Sequence, residues 1–280
     1  MNQVLCSVGA LIGRANNRNH RLLIPLSEQL ACDGFEFLFY SSWYDSIHEI
    51  VADLQKSKLS FPTFHCEKHV GEKISIGGKE NIAEALRLFE INCRTAQALG
   101  SRTLVLHLWD GQPSDQHFEH NFSTYPLLRE ISDRYSLALT VENVVCNRTD
   151  PLTHLKELAD AYPDIRFTYD TKMATFHGQH ELIYEPAQAW LWNKNHISHL
   201  HINDYAGGIM DWANLKTLHL GDGHVDFERF FRFLPQTGYQ GDYTIEATSL
   251  QPDGTVDIDK LNHDFTRLRS LLQLAPTDTQ

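Results

Sequence analysis

The 280-residue chain has no run approaching the ~20 consecutive apolar residues of a bilayer-spanning helix, which excludes an ordinary transmembrane segment. It also lacks a basic excess. With 24 Lys and Arg against 36 Asp and Glu, the formal net charge is −12, which would repel a nucleic-acid backbone unless basic residues gathered on one face; no such stripe is present. C-x-x-C pairs are missing as well. The five cysteines, Cys6, Cys32, Cys66, Cys93 and Cys146, are odd in number and scattered, which argues against a disulfide framework and fits the reduced thiols of a cytoplasmic protein. The apolar stretch from Val4 to Gly13 has no Lys or Arg before it and is interrupted by Ser7 and Gly9, so it reads as a first buried strand rather than a signal-peptide core. Gly9 and Gly13 do not make the G-x-G-x-x-G spacing of a dinucleotide-binding turn, which disfavours a Rossmann-type sheet.

What is there is enough for a large core: 42% of residues are hydrophobic and 21% charged. Eight short apolar or alternating runs recur, at Val4 to Val8, Phe35 to Tyr40, Phe61 to Cys66, Thr103 to Leu108, Ala138 to Asn143, Ile165 to Asp170, His199 to Asn203 and Tyr243 to Ala247. Amphipathic segments separate them. Asn81 to Leu99 carries Ile82, Ala85, Leu86, Phe89 and Cys93 at helical spacing and stops at Gly100. Asp150 is an N-cap with Pro151 at the first helical position, and Asp226 caps Phe227 to Leu234. Ile258 to Leu272 repeats Leu261, Phe265 and Leu268 on one stripe. Eight βα units without a Pro/Gly/Ser-rich linker predict an α/β fold, a (β/α)8 TIM barrel spanning 1–280 as one domain, with a loose polar tail from about 274; an open doubly wound sheet is the runner-up.

In such a barrel the chemistry sits at the C-terminal ends of the strands. There the third run ends at His65, the fourth at His107, the fifth at Glu142, the sixth at Asp170, the seventh at His201 and the eighth at Glu246. A lone strand-end carboxylate is ordinarily a surface group, and a lone strand His is ordinarily a hydrogen-bonded core residue. Three carboxylates converging with imidazoles on one apolar mouth need a counter-charge, and one divalent metal on Glu142, Asp170, His201 and Glu246 is the simplest. Three oxygen donors and one nitrogen suit Mn²⁺, Mg²⁺ or Co²⁺, and Zn²⁺ is also compatible.

These residues, with Val141-Glu-Asn143, Tyr169-Asp-Thr171, His199-Leu-His-Ile-Asn-Asp204, Leu220-Gly-Asp-Gly223, Val225-Asp-Phe227 and Ile245-Glu246, give a chain that resembles the xylose isomerase-like TIM barrel superfamily over almost its whole length. That superfamily includes sugar isomerases, ketose 3-epimerases, inosose dehydratases and the endonuclease IV branch. The resemblance implies that Glu142, Asp170, His201 and Glu246 are the single-metal ligands. It also implies that Glu142 and Glu246 flank the substrate and move protons, while the metal stabilises an enediolate. His65 and His107 match positions that line the substrate pocket or, in the nuclease branch, bind further zinc; His219 has a similar standing, and substrate contact is the expectation for all three, with a structural hydrogen bond as the alternative. His117, His120, His177 and His180 are expected to face solvent from loops.

The departures are specific. Ketose-acting members often carry a His three residues after the strand-six Asp, a Glu six after the strand-five Glu and an Arg six after the strand-seven His. This chain has Met173, Arg148 and Gly207. Arg148 and Lys172 near the mouth, with Arg14 after the first strand, read first as solvated loop charges; the hypothesis set against that is that they contact the substrate and meet a carboxylate or phosphate on it. The expectation is therefore a metal-dependent isomerase or epimerase of a small sugar or polyol derivative. An inosose-type dehydratase is second. A nuclease is disfavoured by Met173, by Thr217 where an Asp would precede His219, and by the acidic charge; a barrel that binds metal without catalysis is the remaining alternative. By resemblance a dimer or tetramer is expected, with neither nucleic acid nor membrane as partner.

Overall fold

The computed structural model describes residues 2–274, so the expected polar tail lies, from 275 onward, outside the described residues. Along the chain come β1 (Val4–Ser7), α1 (Leu23–Ser27), β2 (Gly34–Leu38), α2 (Ile47–Ser57), β3 (Thr63–His65), α3 (His69–Ile76), α4 (Lys79–Ala98), β4 (Thr103–Leu106), α5 (Phe118–Arg134) and β5 (Ala138–Glu142). They are followed by α6 (Pro151–Ala161), β6 (Arg166–Asp170), α7 (Thr171–Phe176), α8 (Trp190–Asn193), β7 (Ile197–His201), α9 (Phe227–Phe233), β8 (Asp242–Ile245) and α10 (Ile258–Leu271). The eight strands are parallel and close into a barrel in chain order, as the uninterrupted βα series predicts. The open sheet is excluded by that closure. Among the described residues no helix is long and apolar enough to cross a membrane.

By packing the chain divides into two compact units, Phe35–Thr168 and the segments on either side of it. In the first, β2 and β3 run in register with Glu36 opposite Thr63 and Leu38 opposite His65, and β4 lies beside β5 with Leu106 opposite Val141. Its core is aromatic at one end: Phe37 lies 5.3 Å from Phe64 and 5.5 Å from Trp43, ring centre to ring centre. The second unit pairs β1 with β8 and β7 with β8, setting His201 opposite Thr244. There Tyr169 stacks on Phe230, and α10 buries Leu261, Phe265 and Leu268, the stripe expected from the sequence.

Helix starts follow the caps that the sequence offers. Asp150, Asp226 and Asp257 each accept from the backbone N–H three residues on, at the heads of α6, α9 and α10. The strands are shorter than the apolar runs suggest. The run from Val4 ends at Ser7, whose hydroxyl turns the chain into a 3-10 turn by accepting from Gly9, and Asn203 lies beyond β7, its backbone N–H donating to Thr171 Oγ1 and its side chain to Asp170 Oδ2.

Candidate metal and substrate site

Three polar side chains close the last strands of the second unit. Asp170 is the last residue of β6, His201 the last of β7, and Glu246 follows β8 directly. Asp170 and His201 are fully buried, while the Glu246 side chain keeps 18% of its surface. Their candidate ligand atoms all lie within 4.8 Å of one another. His201 Nδ1 is 3.3 Å from Glu246 Oε2 and 4.0 Å from Asp170 Oδ2. Asn203 ties the two carboxylates: its Nδ2 donates to Asp170 Oδ2 at 2.9 Å and to Glu246 Oε2 at 3.2 Å, and its Oδ1 accepts from the Glu246 backbone N–H at 3.0 Å. Asp170 Oδ1 is engaged elsewhere, capping α7 through Met173 N–H. A buried carboxylate, a partly exposed one and a buried imidazole packed this closely suit a cation among them.

Lys172, expected near the mouth, stands in the first turn of α7 and is buried, so the solvated-charge reading does not describe it. Its Nζ donates to Thr217 Oγ1 at 2.9 Å and lies 3.9 Å from Asp170 Oδ2. His219 is buried, with Nδ1 2.6 Å from Asp264 Oδ2 and Nε2 3.2 Å from Ser249 Oγ, so both ring nitrogens are held within this unit. The His199-Leu-His-Ile-Asn-Asp204 and Leu220-Gly-Asp-Gly223 motifs touch each other: the Asp204 carboxylate accepts from the backbone N–H groups of Tyr205, Gly221, Gly223 and Val225. Gly223 is required because a Cβ there would sit 2.3 Å from the Tyr205 carbonyl oxygen.

The other unit presents its own cluster at the ends of β3, β4 and β5. His65 Nε2 lies 3.3 Å and His107 Nε2 3.0 Å from the same Glu142 Oε2, all three residues being buried. His65 Nδ1 is 2.9 Å from the Cys66 carbonyl oxygen, and His107 Nδ1 is 2.6 Å from Asp110 Oδ2. Burial alone would push the His107 imidazole down, but Glu142 and Asp110 on its two sides bring it up to about 9. Burial opposes ionisation of Asp110 too; His107 outweighs it and the carboxyl falls to about 2. Arg148 is exposed, and its guanidinium donates to the Gln116 carbonyl oxygen at 3.2 Å. Arg14 is likewise exposed.

Some residues escape a reading of strand ends. Asp115 accepts from the backbone N–H groups of Asn147, Arg148 and Thr149, and its Oδ2 lies 3.0 Å from His154 Nε2. Glu36, inside β2, is a fully buried carboxylate. His180 is a correction: it is buried rather than solvent-facing, with Nδ1 2.9 Å from the Tyr169 hydroxyl, because Phe230 packs against the ring. His117 is exposed as expected, whereas His120 and His177 are half-buried.

The family model of the xylose isomerase-like TIM barrel matches residues 24–265, most of the chain. The chain belongs to that family. Solved structures share its fold at low identity. A D-tagatose 3-epimerase-like protein is 18% identical with a TM-score of 0.69, covering 97% of both chains. D-allulose 3-epimerase from Methylomonas sp., in complex with D-allulose, is 17% identical with a TM-score of 0.67 over 96% of each chain. The IOLI protein with a bound zinc atom is 13% identical with a TM-score of 0.68 over 96% of this chain and 98% of that one. No curated protein matches the sequence.

Proposed function

We propose that the chain is a divalent-metal-dependent isomerase or epimerase of a small sugar or polyol derivative, with Glu142, Asp170, His201 and Glu246 holding the ion. The observation that carries this reading is the Asn203 amide bridging Asp170 and Glu246 beside His201, at the C-terminal ends of parallel barrel strands. The donor chemistry fits: oxygen-rich with one imidazole, suited to Mn²⁺, Mg²⁺ or Co²⁺ and compatible with Zn²⁺. Support comes also from family membership, from a fold neighbour solved with D-allulose and from another solved with zinc. When bound, the ion supplies Lewis-acid polarisation of a substrate carbonyl and adjacent hydroxyl.

The protein's own groups do the rest. Of Glu142 and Glu246, one carboxylate takes a carbon-bound proton and the other returns one. Asn203 holds Glu246 by both its backbone and its carboxylate, so proton transfer there begins from a fixed position. His65 and His107 aim at Glu142 and set its orientation from the substrate side. Lys172 and His219 line the substrate's place in their unit, with Arg148 at the rim. We read 1–280 as one domain that works in the cytoplasm, with a small-molecule sugar or polyol as partner, no nucleic acid or membrane, and a homo-oligomer as its assembly.

The test is product analysis in deuterated water with added Mn²⁺, using a panel of ketoses, sugar phosphates and inososes. Solvent deuterium in an otherwise rearranged sugar is the expected result, with Glu246→Gln folded but inactive. An unsaturated or deoxy product would replace this reading with a dehydratase, and undiminished turnover by Glu246→Gln would end the proton-transfer role.

A further inference from the structure

A second group of metal-binding side chains lies away from the strand ends, within the unit Phe35–Thr168. Asp115, Cys146 and His154 are all buried, and a carboxylate oxygen, the thiol sulfur and an imidazole nitrogen lie within 4.8 Å of one another. Among the described residues this is the one candidate group that contains a cysteine. The imidazole is held in place: Phe118 stacks on it at 3.7 Å, the Trp109 ring stands 5.5 Å away, and Nδ1 faces Glu157 Oε2 at 3.4 Å. A carboxylate behind the outer nitrogen is the partner that orients a metal-bound histidine. Asp115 divides its oxygens to match. Oδ1 accepts from the Asn147 and Arg148 N–H groups, while Oδ2 accepts from Thr149 N–H at 2.8 Å and from His154 Nε2–H at 3.0 Å. An ion between Oδ2 and Nε2 replaces that last hydrogen bond and leaves the three backbone contacts whole. Cys146 Sγ is 3.8 Å from the Val144 carbonyl oxygen, a weak hydrogen bond that costs little to give up. Beside the thiol lies the indole N–H of Trp109, fully buried and without a partner among the described residues, which a thiolate would satisfy.

We propose that Asp115, Cys146 and His154 form a second metal site, one that takes Zn²⁺ and joins the segment after β4 to the loop and helix that follow β5. The donor set selects the ion. One sulfur, one nitrogen and one oxygen suit Zn²⁺, whereas Mg²⁺ and Mn²⁺ keep to oxygen-rich sites. Charge selects it too, because a thiolate and a carboxylate together cancel the two positive charges and the ion is buried as a neutral unit. The exchange balances. The S–H bond of Cys146 breaks, its proton leaves to solvent and the sulfur binds the ion, while the Nε2 proton of His154 passes to Nδ1 and is donated to Glu157. Burial and the nearby Asp115 hold the Cys146 thiol well above its ordinary range, so without an ion the residue stays a thiol. Water takes the fourth tetrahedral position. This site has no ligand in common with the strand-end set, which contains no sulfur.

The experiment uses Co²⁺ as an optical substitute for Zn²⁺ on the full chain, freed of metal and kept reduced. It compares the wild type, His201→Asn, which disables the strand-end site, Cys146→Ser and His154→Gln, each checked for a cooperative thermal melt. A sulfur-to-cobalt charge-transfer band in the near ultraviolet reads thiolate ligation alone. The band should appear in the wild type and in His201→Asn, be absent from Cys146→Ser, and be bleached when Zn²⁺ displaces Co²⁺. Calorimetric titration of His201→Asn with Zn²⁺ should release about one proton per ion. Adding His154→Gln to that variant should lower its Zn²⁺ affinity at least about 10-fold. No band in the wild type, a band that survives in Cys146→Ser, a band lost in His201→Asn, or a Zn²⁺ affinity unmoved by His154→Gln overturns the proposal. Should Cys146→Ser not fold, the wild-type band and the His154→Gln affinity decide.

Discussion

His107 and His180 are both buried imidazoles, and their surroundings push them in opposite directions. At His107 burial is outweighed by Glu142 and Asp110, raising it from 6.5 to about 9. Its contribution to stability is fully present below pH 6.5 and is lost as pH rises from there through 9. At His180 burial dominates and lowers the imidazole from 6.5 to about 4, so stability is lost as pH falls from 6.5 towards 4, where the unfolded chain binds the extra proton. Thermal melts in EDTA from pH 4 to 9 should therefore show a maximum near pH 6.5, each limb amounting to roughly 1 to 3 kcal/mol. His107→Asn should flatten the alkaline limb and His180→Phe the acidic one; limbs unchanged in both variants would contradict these assignments. His65 and His107 were legible in the sequence because each interrupts an apolar run at a strand end. His180 was not, since what buries it is Phe230, fifty residues away along the chain.

Elements show the same split between local and distant causes. Asp150, Asp226 and Asp257 could be read as helix caps because the N–H each accepts from is three residues away. Asp115 carries no such mark, as its backbone partners lie 32 to 34 residues later, in the loop between β5 and α6. It holds that loop by three N–H groups, and His154, stacked on Phe118 at 3.7 Å, closes the fourth contact. Asp115→Ala should cost about 2 to 4 kcal/mol in urea unfolding, because three backbone amides and the buried His154 lose a charged acceptor. It should also speed hydrogen exchange at residues 147, 148 and 149 while leaving α10 protected. A variant with wild-type exchange in that loop would show that the contacts do not hold it. Asp204 does the same for the loop from 219 to 225, 17 to 21 residues ahead, which ties the motif ending at Asp204 to the one from Leu220 to Gly223.

At the scale of the whole molecule, the eight strands and their parallel order were legible because each βα unit repeats the same hydrophobic alternation, and closure followed from the unbroken series. The strand ends overshot by one or two residues where a polar side chain turns the chain, which periodicity does not sense. The candidate site was legible as strand-end acids and imidazoles; the groups that hold these side chains, Asn203, Asp110 and Asp264, were not, because hydrogen-bond partners distant along the chain leave no period in the sequence. The account as a whole depends on one cation being held at the ends of β5 to β8. The most direct measurement is the metal content of the chain after dialysis against each divalent ion, for the wild type and for Glu142→Gln, Asp170→Asn, His201→Asn and Glu246→Gln. The account predicts one tightly held ion per chain, beyond any Zn²⁺ held through Cys146, and an affinity lowered at least about 10-fold by each substitution. A wild type that retains no ion, or four variants that hold it as tightly as the wild type, would contradict it.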